Sequence, residues 1–370
     1  MNKYISRFKQ EIDKEGFGSA VKKTVKNTSI RVKRKLTENK RSQENWKQLK
    51  GKFVGKRVFL IGNGPSLNKT PLYLLDNEYT MCFNRFNVMF ERLGWVPKFY
   101  MCADPLVAND MAAEINQIVP QVEIAFFPDI HTHGLDFRTF INDRENVQWM
   151  SPDFKGFYFD LPKVALGGTV AYPALQVLTY LGFSELYLIG VDMNYQIHKT
   201  VKEIHGTDVA STKDDDPNHF DPRYFGTNRK YHQPVQAIMD NMLGSLDYAA
   251  QQIKTHSNTN VVNAGIGSMV ESFPKTDFNS LFNYTDQEAF ELLSKPFIEY
   301  LPVRSYEELL EKVPQLKSKE EIPADADYFI LEHDLGISII KELIFDYIPF
   351  GPYKGMYLFI SRKFLNKAFN

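Results

Sequence analysis

The sequence is poor in cysteine and tryptophan, with only two cysteines and three tryptophans in 370 residues. Cys82 and Cys102 both lie in short apolar runs, TMCFN and FYMCAD, which is typical of buried free thiols in a reducing compartment. Two cysteines are too few for a disulfide scaffold or for a zinc cluster. The sequence therefore favours a chain whose fold depends on a hydrophobic core.

The sequence also lacks the marks of secretion and of membrane insertion. The first residues, MNKYISRFKQEIDKEG, never develop the apolar segment of a secretory signal, so we expect a cytoplasmic protein. One long uncharged stretch, residues 164–184, contains Gly167, Gly168, Pro173 and Gln176. It is better explained as a buried helix of an α/β core than as a membrane span.

The net charge of −1 conceals a strong asymmetry. Residues 1–50 hold 15 Lys and Arg against five Asp and Glu, so the rest of the chain carries about −11. A basic arm predicts contact with an anionic membrane surface, although a solvated helix would have the same composition.

The C-terminal segment combines aromatic and basic residues as interfacial segments do, although a short edge strand with a polar tail would look similar. These residues are Tyr357, Leu358, Phe359, Arg362, Lys363, Phe364, Lys367 and Phe369. We therefore expect a peripheral protein at the inner face of the cytoplasmic membrane.

Short apolar runs alternate with helical patterns from Arg57 to about Val262. Hydrophobic residues make up 43% of the chain and aromatic residues 14%, which allows a sizeable core. Helical periodicity predicts helices over residues 105–119, 169–181 and 234–255. The predicted strands are RVFLIG, YTMCF, KFYMCA, VEIAFF, NVQWM, ELYLIGVD and NVVNA. This alternation predicts a doubly wound α/β fold, with a mostly parallel sheet covered on both faces and ligands bound outside the carboxyl ends of its strands.

The chain divides into three predicted parts. Residues 1–54 form a basic helical extension, residues 55–285 form the α/β domain, and residues 286–370 form a second helical extension. Within the last part, residues 286–293 and 305–313 have the pattern of short amphipathic helices. No phosphate loop or nucleophile motif occurs after residue 285.

Polar residues follow the first three predicted strands. The first strand ends in a glycine-containing loop formed by Gly62, Asn63, Gly64, Pro65 and Ser66. Such a loop can bring backbone N–H groups close to a phosphate or a ribose, although a tight turn without a ligand also favours glycine and proline. Asn84 after the second strand offers both a donor and an acceptor, which suits the edge of a pyrimidine or a pterin. Asp104 after the third strand could bind a ligand or could cap a helix that begins at Pro105.

A long polar excursion, residues 196–230, follows the strand ELYLI and the segment that contains Asp192 and Tyr195. A connection of this length within an α/β domain is typical of a functional lid. It ends in the triplet Asn218-His219-Phe220. His219 could serve as a general base, because an unperturbed imidazole pKa of about 6.5 suits proton removal near neutral pH. A surface histidine in a loop is the alternative.

Taken together, these motifs resemble a known group of transferases. GNGPS, CFNRF, the turn Gly167-Gly168-Thr169, GVDMNY and NHF are similar to motifs of bacterial sialyltransferases that act on lipooligosaccharide. They also resemble the central domain of motility-accessory-factor flagellin glycosyltransferases, which is grouped with archaeal hydroxymethylpterin diphosphokinase-like proteins. The resemblance covers roughly residues 55–285 and neither end.

This resemblance implies a Rossmann-like, metal-independent, inverting glycosyltransferase. The expected donor is a CMP-activated nonulosonic acid such as sialic acid, the expected acceptor is a cell-surface glycan or glycolipid, and no further cofactor and no nucleic acid are expected. By motif, Asn63 and Ser66 would contact the nucleotide, Asn84 its base or ribose, and Tyr195 the leaving phosphate, while His219 would deprotonate the acceptor. A second phosphate-binding tyrosine is expected before His219 but is missing, so Tyr224 or Tyr231 would have to replace it. The remaining expected substrate-binding residues are Gly62, Gly64, Asp104, Gly168, Thr169 and Asp192.

Three alternatives remain open on the sequence alone. Asp214 and Asp216 could form the D-x-D of a metal-dependent transferase that uses a nucleotide diphosphate sugar, with Mg²⁺ or Mn²⁺ bridging the diphosphate. The chain could instead transfer a phosphoryl group to a pterin. It could also be a membrane-tethered scaffold that has kept the fold without turnover.

Overall fold

The computed structural model describes residues 40–369 apart from positions 133, 154, 284 and 296. The expectations for the basic segment before residue 40 therefore lie outside the described residues. Helix α1 (Lys40–Leu49) packs against the α/β domain, since Trp46 is only 1% exposed. The Trp46 indole N–H donates to the carbonyl of Trp149 at 3.2 Å, and the Tyr180 hydroxyl donates to the carbonyl of Trp46 at 2.7 Å.

Eleven strands lie between Arg57 and Asn263. They are β1 (Arg57–Ile61), β2 (Tyr79–Phe83), β3 (Phe99–Met101), β4 (Ile124–Pro128), β5 (Val147–Asp153), β6 (Lys163–Ala165), β7 (Glu185–Ile189), β8 (Val201–His205), β9 (Asp208–Ser211), β10 (Lys230–His232) and β11 (Asn260–Asn263). Eight of them form one parallel sheet in the order β11-β7-β1-β2-β3-β4-β5-β6. The other three form the antiparallel sheet β10-β9-β8 within the predicted lid.

Helices cover both faces of the parallel sheet. They are α2 (Phe90–Leu93), α3 (Pro105–Asp110), α4 (Ala112–Ile118), α5 (Ala171–Leu181) and α6 (Gln236–His256). Alternate residues of each strand enter opposite cores: in β1, Phe59 packs into the layer that contains Ile115 of α4, whereas Leu60 packs into the layer that contains Leu175 of α5. The predicted doubly wound, Rossmann-like α/β fold is confirmed.

All seven predicted strands occur, but two local details differ from the prediction. The three-residue strand β6 was not predicted, because two of its residues lie in the uncharged stretch interpreted as a helix. The helix predicted over residues 105–119 is two helices, because Met111 has non-helical backbone angles (φ −110°, ψ 24°).

The prediction that residues 286–370 are a helical extension is wrong. The region has helices α7 (Asp286–Ser294), α8 (Tyr306–Lys312), α9 (His333–Leu343) and α10 (Arg362–Phe369). It also has strands β12 (Gln315–Leu316), β13 (Tyr328–Glu332), β14 (Tyr347–Tyr353) and β15 (Met356–Ser361), which form a mixed sheet in the order β12-β13-β15-β14. Tyr357, Leu358 and Phe359 are in β15, between two other strands, and are 2%, 8% and 0% exposed. These three residues therefore cannot form the interfacial segment that their composition suggested.

No helix among the described residues between 40 and 369 is both long and apolar enough to cross a membrane.

Candidate active site

A cavity of about 320 Å³ lies at the carboxyl ends of β1, β2, β3 and β7, beneath the returning part of the lid. This is the edge of the sheet at which open α/β folds bind ligands. Every predicted site residue except Ser66 lines it: Gly62, Asn63, Gly64, Asn84, Asp104, Gly168, Thr169, Asp192, Tyr195, His219, Tyr224 and Tyr231.

The two glycines after β1 allow close contact between two loops. The Gly62 N–H donates to the carbonyl of Ile189, and the Gly64 N–H donates to the carbonyl of Gly190, both at 2.8 Å. A Cβ atom at Gly62 would lie 2.2 Å from the Gly190 carbonyl oxygen, and one at Gly64 would lie 2.2 Å from a carboxylate oxygen of Asp192. Because both N–H groups are already paired, the expectation that they cradle a phosphate is wrong.

Ser66 acts on Asp192 and lies outside the cavity lining. Its backbone N–H and its hydroxyl donate to the two carboxylate oxygens of Asp192, at 2.9 and 2.5 Å. Burial raises the pKa of Asp192, and the hydrogen bonds from Ser66 oppose that rise. The expected nucleotide contact of Ser66 is therefore corrected: its side chain fixes the carboxylate at the end of β7.

Asn63 and Asn84 each have a buried amide oxygen that no described residue contacts by a hydrogen bond. Asn63 Nδ2 donates to the carbonyl of Phe83 at 3.1 Å, but Oδ1 of Asn63 and Oδ1 of Asn84 accept no hydrogen bond from the described residues. Asn84 has a left-handed backbone (φ 54°), which asparagine tolerates better than most residues. An unsatisfied buried acceptor costs about 1–3 kcal/mol, so both oxygens favour a ligand that brings hydrogen-bond donors.

Asp104 caps a helix as well as lining the cavity. Its Oδ1 accepts the backbone N–H groups of Leu106 at 2.8 Å and Val107 at 3.0 Å, which confirms it as the N-cap of α3. His232 of the lid sheet lies 4.0 Å from the same oxygen and 2.7 Å from Asp208. Asp104 therefore lies where the sheet edge meets the lid.

His219 is oriented by a buried carboxylate. Its Nδ1 lies 2.8 Å from Oδ2 of Asp216, whose side chain is 2% exposed and also accepts the N–H groups of Asn218 and Phe225. Burial alone would raise the pKa of Asp216, but the charge and hydrogen bond of His219 and the two backbone donors hold it below its usual value. An ionised carboxylate only accepts hydrogen bonds, so Nδ1 carries the proton and Nε2 is left as the basic nitrogen.

Of the three tyrosines predicted to bind the phosphate, Tyr224 and Tyr231 contact neighbouring side chains and backbone groups. The ring of Tyr224 stacks on that of His219, with centroids 3.9 Å apart and planes 3° apart, and its hydroxyl accepts the N–H of Arg85 at 3.3 Å. The Tyr231 hydroxyl is hydrogen-bonded to Nδ1 of His198. For Tyr195, burial and then the charges of Asp192 and Asp216 raise the pKa to about 12, so its hydroxyl keeps its proton at neutral pH. The structure therefore makes Tyr224 a support for the imidazole, which corrects its expected role as a phosphate ligand.

The three consecutive aspartates do not share one site. Asp214 accepts the N–H and the hydroxyl of Thr227, Asp215 pairs with His198, and Asp216 pairs with His219. Neither Asp214 nor Asp216 lines the cavity. Among the residues described, no group of three or more His, Cys, Asp or Glu side chains is arranged to hold a metal ion.

Sequence reasoning missed the role of Asp216 and two histidines of the cavity wall. His131 and His232 both line the cavity, which has no Lys or Arg among its described lining residues. The spacing Asp216-x-x-His219 was the available signal for the base, but the run of three aspartates suggested a metal ligand instead. No comparable signal in the sequence marks His131.

One family profile and several solved structures are similar to this chain. The profile of the family described as "6-hydroxymethylpterin diphosphokinase MptE-like" matches residues 31–198. The structure is similar to the MAf glycosyltransferase from Magnetospirillum magneticum AMB-1, at 20% identity and a TM-score of 0.40, over 62% of this chain and 35% of that one. This chain thus spans about a third of that enzyme's length.

A second similar structure is the sialyltransferase CstII from Campylobacter jejuni. In complex with the substrate analogue CMP-3FNeuAc it is 12% identical, with a TM-score of 0.36, over 62% of this chain and 89% of that one. In complex with cytidine-5'-monophosphate the values are 13%, 0.38, 63% and 89%. No curated protein sequence matches this chain. The resemblance inferred from the motifs is confirmed, since residues 31–198 are similar to the MptE-like family.

Proposed function

We propose that this chain is a glycosyltransferase that transfers a nonulosonic acid such as sialic acid from a CMP-activated donor to a cell-surface glycan, with inversion. The observation that carries the proposal is the orientation of His219. Asp216 binds its Nδ1, Tyr224 stacks on its ring, and Nε2 is left for a substrate in the cavity. A base held in this way can take the proton of an acceptor hydroxyl.

The nucleotide would lie over the ends of β1 and β2. The unpaired oxygens of Asn63 and Asn84 can accept hydrogen bonds from the amino group of a cytosine or from ribose hydroxyls. A uracil presents an acceptor where cytosine presents an amino group, so whichever of these oxygens contacts the base favours CMP over UMP.

The phosphate would lie near the start of α5. Gly168, Thr169 and Val170 line the cavity immediately before this 11-residue helix, whose N-terminal dipole favours an anion. Tyr195 also lines this cavity, and its hydroxyl is a neutral donor. Hydrogen-bond donors of this kind stabilise charge in a site from which water is excluded.

In the proposed reaction the sugar leaves CMP and bonds to the acceptor, whose proton passes to His219. The bond between the anomeric carbon and the phosphate oxygen breaks, and its electron pair leaves with CMP. The acceptor oxygen bonds to the opposite face of that carbon, which inverts its configuration. The proton of the acceptor passes to Nε2 of His219, and Asp216 stabilises the resulting imidazolium. The lid over the cavity would limit hydrolysis of the donor.

The acceptor would be reached at an anionic membrane surface. This part of the proposal rests on the charge of residues 1–50, most of which lie outside the described residues. If it is correct, the full chain sediments with anionic vesicles and a chain without residues 1–39 does not. Equal sedimentation of the two chains would contradict it.

A nucleotide screen tests the proposal and the main alternative. The full chain is heated with CMP, CDP, UDP, GDP or ATP, and release of CMP from CMP-sialic acid is then measured with and without EDTA. We expect CMP to raise the melting temperature most, since a ligand at 100 times its Kd stabilises a protein by about 2.7 kcal/mol. CMP release that survives EDTA would exclude the metal-dependent transferase. The description of the matched family favours a pterin phosphotransferase instead, and stabilisation by ATP alone would support that function and contradict ours. Binding of CMP without turnover of any CMP-sugar would support a scaffold.

A further inference from the structure

Besides His219–Asp216 and His232–Asp208, the lid contains the pair His198–Asp215, whose function the proposed reaction does not explain. His198 is 3% exposed, and its Nε2 lies 2.8 Å from Oδ1 of Asp215 and 2.9 Å from the hydroxyl of Thr200. The Thr200 hydroxyl itself donates to Oδ1 of Asp215 at 2.5 Å. The other ring nitrogen, Nδ1, is hydrogen-bonded to the hydroxyl of Tyr231. Asp215, His198 and Tyr231 thus form a continuous hydrogen-bonded chain.

This hydrogen-bonded series of residues ends at the cavity. Tyr231 lies in β10 and lines the cavity, and its side chain is 3% exposed. Its ring stacks on that of Phe225, with centroids 4.1 Å apart and planes 2° apart. Phe225 in turn meets the ring of His219 edge-on, with centroids 5.0 Å apart. The Tyr231 ring is therefore held by the same aromatic cluster that holds the proposed base.

The protonation of His198 determines what the Tyr231 hydroxyl offers to the cavity. The carboxylate of Asp215 can only accept, so Nε2 of His198 carries a proton in either charge state. When His198 is neutral, Nδ1 has a lone pair and the Tyr231 O–H must point at it. When His198 is protonated, Nδ1–H donates to the tyrosine oxygen, and the O–H is free to point into the cavity.

We propose that His198 and Asp215 are positioning residues that direct the Tyr231 hydroxyl, as a hydrogen-bond donor, at the departing phosphate of the donor nucleotide. The inference rests on the proposed function and deepens it by assigning a separate aspartate–histidine pair to each side of the transfer. His219 with Asp216 receives the acceptor proton, and protonated His198 with Asp215 frees the donor for the leaving group. The Tyr231 proton stays on its oxygen, so no proton is transferred in this step.

The charges around the pair agree with this arrangement. Although burial opposes it, the hydrogen bonds from Thr200 and His198, with the charges of His198 and Lys213, lower the pKa of Asp215. Burial, followed by the charges of Asp216 and Asp215, raises the pKa of Tyr231 above its usual value, so the phenol stays protonated. The backbone carbonyl of His198 accepts the Gln233 side-chain amide at 2.9 Å, which fixes the histidine from the β10 side.

Binding of CMP and of cytidine, measured by calorimetry on the full chain from pH 6 to pH 8, tests the inference. Cytidine lacks the phosphate, so only CMP binding should respond to the direction of the Tyr231 hydroxyl. We expect the CMP affinity of the wild type to fall by roughly tenfold over this range, the loss of one hydrogen bond to a charged group. In His198→Gln and Tyr231→Phe this fall should be much smaller, with cytidine affinity retained. His205→Gln, an exposed lid histidine, is the matched control and should behave as the wild type.

The inference is tested by comparing the variants with the wild type, because the CMP phosphate itself titrates near pH 6. His131, His219 and His232 also line the cavity, but they are present in all the proteins compared. Tyr231→Phe keeps the ring on Phe225 and removes only the hydroxyl. The pH dependence of its CMP affinity therefore tests the inference even if His198→Gln does not fold. An unchanged pH dependence in Tyr231→Phe would overturn the inference and leave the proposed function intact. Failure of the folded wild type to bind CMP at any pH would instead contradict the proposed function.

Discussion

The central parallel sheet and the C-terminal sheet are built from similar residues but are suited to different tasks. All eight strands of the central sheet are parallel, so the polar residues that follow β1, β2, β3 and β7 meet at one edge and form a cavity. In the C-terminal sheet β15 runs antiparallel to both of its neighbours, so strand ends lie at opposite edges. The space beside that sheet is lined by apolar side chains such as Phe290, Phe350 and Leu358. Strand direction therefore explains why the polar cavity lies at the edge of the central parallel sheet.

The C-terminal sheet nevertheless contacts the part of the chain that carries the base. The Tyr357 hydroxyl donates to the carbonyl of Asn68, whose side-chain amide donates to the carbonyl of Phe220 at 2.8 Å. Arg362 lies 2.8 Å from Glu91, which also pairs with Arg223 at 3.4 Å. The C-terminal sheet region thus supports the segment directly after His219 without reaching the cavity.

The largest expected effect is that of His219→Ala, which should lower activity far more than stability. Removal of a general base lowers the rate of sugar transfer by about 10²–10⁴-fold. Asp216 keeps the N–H donors of Asn218 and Phe225, so the cost in stability should stay at about 1–3 kcal/mol. Rates of CMP release and melting temperatures are compared with those of His205→Ala, a lid histidine outside the cavity. A transfer rate close to that of the wild type would remove His219 from the mechanism.

The opposite result is expected for Phe359→Ala in the C-terminal sheet. Phe359 is 0% exposed and stacks on Phe329 with ring centroids 5.3 Å apart. Its truncation should lower the free energy of unfolding by about 3–5 kcal/mol, while the folded protein binds CMP as before. Chemical denaturation and calorimetry measure the two quantities. Phe345→Ala, at a 44% exposed position of the same region, should cost far less. Loss of CMP binding by folded Phe359→Ala would show that the two regions are not separable.

The smallest effect concerns acid stability where the two regions meet. Asp221 is buried, lies 2.8 Å from Arg223 and 4.0 Å from Arg92, and has a lowered pKa because these cations outweigh its burial. A lowered folded pKa gives stability that is present above the unfolded value, about pH 4, and is lost as the pH falls through the folded pKa. Asp221→Asn should therefore be less stable than the wild type at pH 7, and the gap should narrow below pH 4. A constant gap in urea denaturation from pH 7 to pH 3 would contradict this assignment.

The central fold could be predicted because its strands are buried on both faces. Such strands are continuous apolar runs, and seven of them were visible in the sequence. The C-terminal sheet could not be predicted in this way, because the aromatic residues of β15 and the basic residues after it fit an interfacial segment equally well. What distinguishes the two is the pairing of β15 with β13 and β14, which local sequence does not encode.

The cavity could be predicted for the same reason, but the partners of its side chains could not. The rule that ligands bind at the carboxyl ends of parallel strands placed Asn63, Asn84 and Asp104 in one site, and the resemblance of the triplet NHF added His219. The bond from Ser66 to Asp192 joins positions 126 residues apart, and the stacking of Tyr224 on His219 depends on the folded lid. Such contacts depend on how distant segments meet, so the motifs could not show that Ser66 binds Asp192 and that Tyr224 supports the imidazole.

The most direct test is a crystal structure of the full chain with CMP. We predict that its cytosine or ribose donates to the amide oxygens of Asn63 and Asn84, that its phosphate lies at the turn before α5 near Tyr195, and that Nε2 of His219 lies across the same cavity. CMP bound outside this cavity, or oriented with its phosphate away from both α5 and Tyr195, would contradict the proposed function.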